Sequence, residues 1–142
     1  MQPANLSACW NKLGKLVRQD RAERSWLRTE LRHSAALQPL LHSTLDQLPR
    51  ADARQVSITS QGLAWVVVTA GYAPGEAALD RLAERGARVA NKAEVQGLAN
   101  TVWAFAKMDH QAPALFNGVA AAAVPRVREF NGQDVALSLI HI

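Results

Sequence analysis

The stretch Val95-Gln-Gly-Leu-Ala-Asn-Thr-Val-Trp-Ala-Phe-Ala-Lys-Met108 decides how this chain folds. Val95, Leu98, Ala99, Val102, Phe105 and Ala106 recur at the i, i+3/i+4, i+7 spacing of one helical face. A second stretch, Ser60-Gln-Gly-Leu-Ala-Trp-Val-Val-Val-Thr-Ala-Gly71, is similar to it. Trp65 and Trp103 lie 38 residues apart. Ala73-Pro74 returns as Ala112-Pro113 after 39 residues, and Arg88-Val89 as Arg126-Val127 after 38. Gln96 and Ala99 return as Gln133 and Ala136 after 37. Four landmarks at nearly one spacing point to tandem helix–turn–helix units.

Each unit reads as two helices. Helix A of the clearer copy spans roughly Glu94 to Met108, and an Asp-His-Gln-Ala-Pro turn follows. Helix B opens at Pro113, where a missing N–H costs nothing in a first turn, and runs to about Glu129. The preceding helix B is predicted from near Pro74 to about Asn91, with Leu79, Leu82, Ala83, Val89 and Ala90 as its apolar face. Gly86 between them predicts a close helix contact. Abundant alanine, and β-branched residues confined to a few short runs, agree with helix. The expected fold is all-α: a right-handed α-solenoid of helix–turn–helix repeats of about 38 residues.

The repeats are expected over 51–136. Residues 1–50 form a divergent N-terminal helical segment. Pro3–Leu16 has the pattern of a helix A through Leu6, Trp10, Leu13 and Leu16, yet Trp10 precedes Trp65 by 55 residues, which is no multiple of the period. Val17–Leu48 is then either a long insertion or a divergent pair of helices, closed by a break at Leu48–Asp52 around Pro49. The hexapeptide Leu137-Ser-Leu-Ile-His-Ile142 departs from the repeat and reads as an adapter-derived, non-native tail over 137–142. A further repeat is expected in its place.

Composition narrows the function classes. The chain has 142 residues, 49% of them hydrophobic, enough for a core. Lys and Arg number 16 against 12 Asp and Glu, giving a net charge of +4, and the pI is near 9.8. Arginine dominates, and its planar guanidinium forks onto phosphate oxygens; a merely solubilising surface is the competing reading. Cys9 is the single cysteine, so neither an internal disulfide nor a cysteine-based zinc site can form. His33, His42, His110 and His141 have no metal-ligand spacing. Apolar runs such as Val119–Val124 are too short to cross a bilayer. The N-terminus has neither a signal peptide's apolar centre nor the Arg/Ser-rich lead of a transit peptide. No nucleophile–base order, phosphate loop or carboxylate pair stands out. No catalytic residue, metal or cofactor is expected.

The run Leu98-Ala-Asn-Thr-Val-Trp-Ala-Phe-Ala-Lys-Met108, then Ala112-Pro-Ala-Leu-Phe116, then Val127-Arg-Glu-Phe-Asn-Gly-Gln-Asp-Val-Ala136 closely resembles a known repeat. It is similar to the octotricopeptide-type repeats of algal and protist organelle RNA-binding proteins. The same pattern occurs in RNA-editing substrate-binding complex subunits and in FAST-kinase-like proteins with a C-terminal RAP domain. The resemblance is strong over 94–136, moderate over 51–93, and echoed in Asn5–Leu16. It implies an α-solenoid that binds single-stranded RNA in a mitochondrion or chloroplast, together with other proteins of a ribonucleoprotein complex. It further implies a part in RNA processing, stability, editing or translation. No RAP domain or nuclease-like motif is present, so no catalysis carries over.

Two sets of residues are candidates for RNA contact. Gln96, Asn100, Trp103 and Lys107 are spaced i, i+4, i+7, i+11 and share one stripe of helix A. Amide and ammonium groups there suit base edges and phosphates; for Gln96 and Asn100 the competing role is bonding to adjacent repeats. Gly97 and Ala104 form a small-residue strip for a neighbouring helix. Trp65, Trp103, Phe105 and Phe116 read first as packing between repeats. On helix B, Arg81, Arg85, Arg88 and Lys92 make a basic edge suited to phosphates. The competing reading is a solvated face with Asp80 and Glu84 as local partners. Arg18, Arg21, Arg24, Arg28 and Arg32 form a further basic side, diluted by Glu23 and Glu30. A protein–protein scaffold without RNA contact is the second reading of the whole.

Overall fold

The computed structural model describes residues 2–19, 29–30 and 35–129. The described residues are helical, with no strand among them. Six α-helices follow in order: α1 (Pro3–Gln19), α2 (Leu37–Gln47), α3 (Ala53–Ala70), α4 (Glu76–Val89), α5 (Val95–Lys107) and α6 (Pro113–Ala123). Short 3₁₀ turns at Leu48–Arg50, Ala90–Lys92 and Val124–Glu129 close the even-numbered helices. α1, α3 and α5 lie side by side, with α3 in the middle. α4 packs along α6, and α2 touches both α1 and α4.

Local chemistry accounts for the helix ends. Asp52 and Gln55 form a reciprocal capping box at the start of α3: the Gln55 N–H donates to Asp52 Oδ1 at 2.8 Å and the Asp52 N–H to Gln55 Oε1 at 3.0 Å. Gly71 ends α3 at φ 74°, a left-handed conformation that glycine adopts without a Cβ penalty. Pro113 opens α6 as expected. Helix B of the last unit is shorter than expected, stopping at Ala123 rather than near Glu129. Pro125 lacks the N–H for the next i→i−4 bond, so the chain tightens into a 3₁₀ turn. Pro49 sits in the equivalent turn after α2. α2 occupies part of the Val17–Leu48 stretch that the sequence left open; 20–28, 31–34 and the tail 137–142 fall outside the described residues.

The even-numbered helices start at Leu37, Glu76 and Pro113, 39 and 37 positions apart, close to the expected period. The odd-numbered helices keep no such interval, because α3 has 18 residues and α5 only 13. Trp65 and Trp103 nevertheless lie side by side.

The core runs between the helices. Trp10 and Phe105 are fully buried with Leu6, Leu63, Leu98 and Leu115. Trp10 Nε1 donates to Thr44 Oγ1 at 2.9 Å, tying α1 to α2. The apolar face expected for α4 is buried in full, as are Leu98, Ala99, Val102 and Phe105 of α5. Gly86 has the expected close contact: a Cβ there would lie 2.9 Å from Leu115 Cδ1. The tightest approach is α1 on α3, where a Cβ on Gly62 would lie 2.3 Å from the Trp10 carbonyl oxygen.

Two expected outcomes follow from this packing. Gly62→Ala forces backbone against backbone and destabilises the fold by about 1–3 kcal/mol, the usual cost of overpacking, read as a lower urea midpoint. Tyr72, in the α3–α4 connection, is buried and donates its hydroxyl to Gln38 Oε1 at 3.1 Å. Burial pushes its phenol above the ordinary value of 10.0. The folded state therefore holds the proton more tightly than the unfolded one. That contribution to stability is complete below about pH 10 and is lost as pH rises through the raised folded value. Melts of the parent should fall more steeply than those of Tyr72→Phe across that alkaline range.

Candidate functional site

The structure gathers four of the seven candidate residues around one cleft. Arg85, Lys92, Gln96 and Asn100 line a cavity of about 670 Å³ where the start of α3, the end of α4 and the start of α5 meet. Arg50 and Arg54 line it too, and both are exposed. Asp52 and Glu94 are its acidic members, so the cations outnumber them. Arg81 and Arg88 lie elsewhere, on a shallower depression of about 190 Å³ shared with Arg85, Glu84, Leu48 and Pro49. Lys107 is exposed at the far end of α5, away from both.

The basic edge of α4 is partly occupied by the fold itself. Arg81 Nη2 donates to the Leu45 carbonyl at 3.1 Å. Arg85 donates through Nε and Nη2 to the Ala51 carbonyl at 3.0 and 2.8 Å. Ala51 lies in the α2–α3 junction, whereas Leu45 is in the last turn of α2 and its carbonyl also accepts the Leu48 N–H. Arg126 makes a similar contact further along the chain: its Nη1 donates to the Ala93 carbonyl, in the α4–α5 junction. Ala51 and Ala93 each precede a helix-capping residue, Asp52 and Glu94. Arg88 and Lys92 remain exposed. Glu84 and Arg88 form no ion pair; the histidine–carboxylate contacts among the described residues are His42–Asp46 and His110–Asp80.

Gln96 and Asn100 bond to each other rather than to a neighbouring unit. Gln96 Nε2 donates to Asn100 Oδ1 at 3.1 Å along the exposed side of α5. Gly97 and Ala104 face α3 as the small-residue strip implied: Gly97 lies against Ser57 and Ala104 is fully buried.

Sequence reasoning missed the charge segregation. α1 carries Lys12, Lys15 and Arg18, α3 carries Arg54, α5 carries Lys107, and none of these helices contains an acidic residue. All five cations are exposed. By contrast α4 mixes three acids with three arginines. The signal was available in the sequence by counting charge per helix, but three separated segments had to be known to adjoin. The half-buried Trp65 and Trp103 lie in the same layer with ring centroids 5.2 Å apart at a 44° tilt. The Arg18 guanidinium carbon stands 5.1 Å from the Trp65 ring centroid. Arg21, Arg24, Arg28 and Arg32, expected beside Arg18, lie outside the described residues. His110 was also missed as a clamp: its Nε2 lies 2.8 Å from Asp80 Oδ1, fastening the α5–α6 turn to α4.

Among the described residues no cluster of three metal-ligand side chains occurs, and no helix is long and apolar enough to cross a membrane. No family model matches the chain, and comparison with curated proteins and with solved structures returns no match.

Arg85 should separate from the exposed cations in its effect. Arg85→Met leaves the Ala51 carbonyl without its two charged hydrogen bonds and should cost about 1.5–3 kcal/mol in chemical denaturation. Arg54→Met and Lys92→Met, at solvent-facing positions, should stay within about 0.5 kcal/mol of the parent.

Proposed function

We propose that this chain is part of a right-handed α-solenoid whose α1–α3–α5 layer binds single-stranded RNA. The observation that carries the reading is the purely cationic charge of those three adjoining helices. A phosphate chain lying across them meets Lys15, Arg18, Arg54 and Lys107 with no carboxylate on the helices themselves. The amides of Gln96 and Asn100, beside the cleft at the starts of α3 and α5, supply donors and acceptors suited to base edges. Lys92 extends the path, while Arg81 and Arg85 serve chiefly to hold the junctions. The resemblance to octotricopeptide-type repeats of about 38 residues adds the setting. The RNA is an organelle transcript in a mitochondrion or chloroplast, and the binding supports its processing, stability, editing or translation alongside other proteins of the complex.

A protein–protein scaffold is the second reading, and α6 favours it. That helix has no charged residue, yet Leu115 is its one buried side chain, and Val124 just beyond is 73% exposed. Surface of this kind suits a protein partner or a further repeat.

Fluorescence anisotropy with a labelled single-stranded RNA of about twelve nucleotides tests the RNA reading. Four to five neutralised phosphates on a single strand give a log–log salt slope near −3, so a fourfold rise in salt should weaken binding roughly sixtyfold. Reversing Lys15, Arg54 and Lys107 to Glu together should weaken it at least tenfold, whereas Arg88→Glu on α4 should change it little. Absence of binding by the parent at about 50 mM salt would sink the proposal.

A further inference from the structure

We infer that Trp65 and Trp103 together form a stacking platform for one unpaired nucleobase, with Arg18 beside it for the adjoining phosphate. The inference rests on the RNA reading above and names the contact that engages the bases.

The three described tryptophans divide by environment. Trp10 is fully enclosed and its Nε1 is satisfied by Thr44, as a core tryptophan should be. Trp65 and Trp103 are only half-buried. Trp65 Nε1 is shielded from solvent but has no hydrogen-bond acceptor. Both residues lie on the least buried stripes of their helices. On α3 the stripe runs Arg54, Ile58, Gln61, Trp65, Val68, each exposed or half-buried. On α5 it runs Gln96, Asn100, Trp103, Lys107, likewise. The two indoles therefore emerge on the acid-free cationic side, between the amides at one end and Lys107 at the other.

Their mutual geometry sets the size of the site. Centroids 5.2 Å apart at a 44° tilt make the rings an angled pair in contact, a site sized for one base rather than two. The Arg18 guanidinium lies over the Trp65 ring, 5.1 Å from its centroid, and remains exposed, so it covers part of that ring, leaves the base to stack chiefly on Trp103, and keeps donors free for a phosphate. Every base has a π-face, so such a platform grips a strand with little sequence preference. It requires bases that are free to unstack, which favours a single strand over a duplex.

The test compares two labelled strands of about twelve nucleotides: an oligouridylate, and the same strand with abasic sugars at its central positions. Parent protein should bind the intact strand about 5- to 150-fold more tightly, the range for one stacked base. Trp103→Leu should abolish that preference while leaving affinity for the abasic strand and the salt slope unchanged. Trp103→Phe should keep part of the preference, and it carries the comparison if circular dichroism shows Trp103→Leu to be unfolded. The intact strand should also quench indole emission of the parent, and the abasic strand should not. A preference that survives Trp103→Leu, equal losses on both strands, or no selective quenching overturns the platform. If the Lys15, Arg54 and Lys107 reversal abolishes binding while Trp103→Leu matches the parent, the platform alone falls. Failure of the parent to bind either strand removes the RNA reading and the platform together.

Discussion

The close passage of α1 across α3 is the constraint on which the rest depends. α3 is flanked by α1 on one side and α5 on the other, and it has α4 beneath it. Two glycines make the first contact possible: Gly14 approaches within 3.1 Å of the Gly62 Cα when given a Cβ, and Gly62 rests against the Trp10 backbone. With backbones that near, Trp10 is enclosed and bonds to Thr44 on α2, and Leu6 and Val17 are enclosed with it. Separating the two helices by one methyl group would loosen each of these contacts, because a packed interior has no spare volume to absorb the shift.

Arginine then sets how one helix pair follows the next. Arg85 grips the Ala51 carbonyl and Arg126 the Ala93 carbonyl, in each case from an even-numbered helix or its closing turn to the junction of the preceding pair. Burying those C=O groups without donors would cost stability, and a guanidinium satisfies them while its stem fills the gap. The same residue type that signals phosphate binding in the sequence is thus divided between two tasks. Arginines on α4 largely organise the chain, and the cations of α1, α3 and α5 are left for solvent or for a polyanion.

This division relocates the candidate surface. A basic edge at i, i+4, i+7, i+11 on α4 is conspicuous in the sequence, but Arg81 and Arg85 point their donors at the backbone. The odd-numbered helices, with one to three cations apiece, look unremarkable individually. Side by side they present five exposed cations with no acidic residue on any of the three helices, and the proposed RNA path crosses them.

The helical class and most helix positions are legible in the amino-acid pattern. Periodicity in α5, Pro113 at the start of α6 and the break around Pro49 are local properties, and local hydrogen bonding enforces them. The buried faces of α4 and α5 were legible for the same reason, since each is covered chiefly on one side. α3 was harder to read: residues such as Val56, Thr59, Ser60, Leu63 and Val66 are buried around most of its circumference, so no single apolar stripe marks it. Only the tertiary structure decided which arginines are committed to carbonyls, that Gln96 and Asn100 bond to each other, and that acid-free helices from three distant segments adjoin. Such facts depend on which surfaces meet, and helix packing brings together residues far apart in the chain that no local periodicity relates.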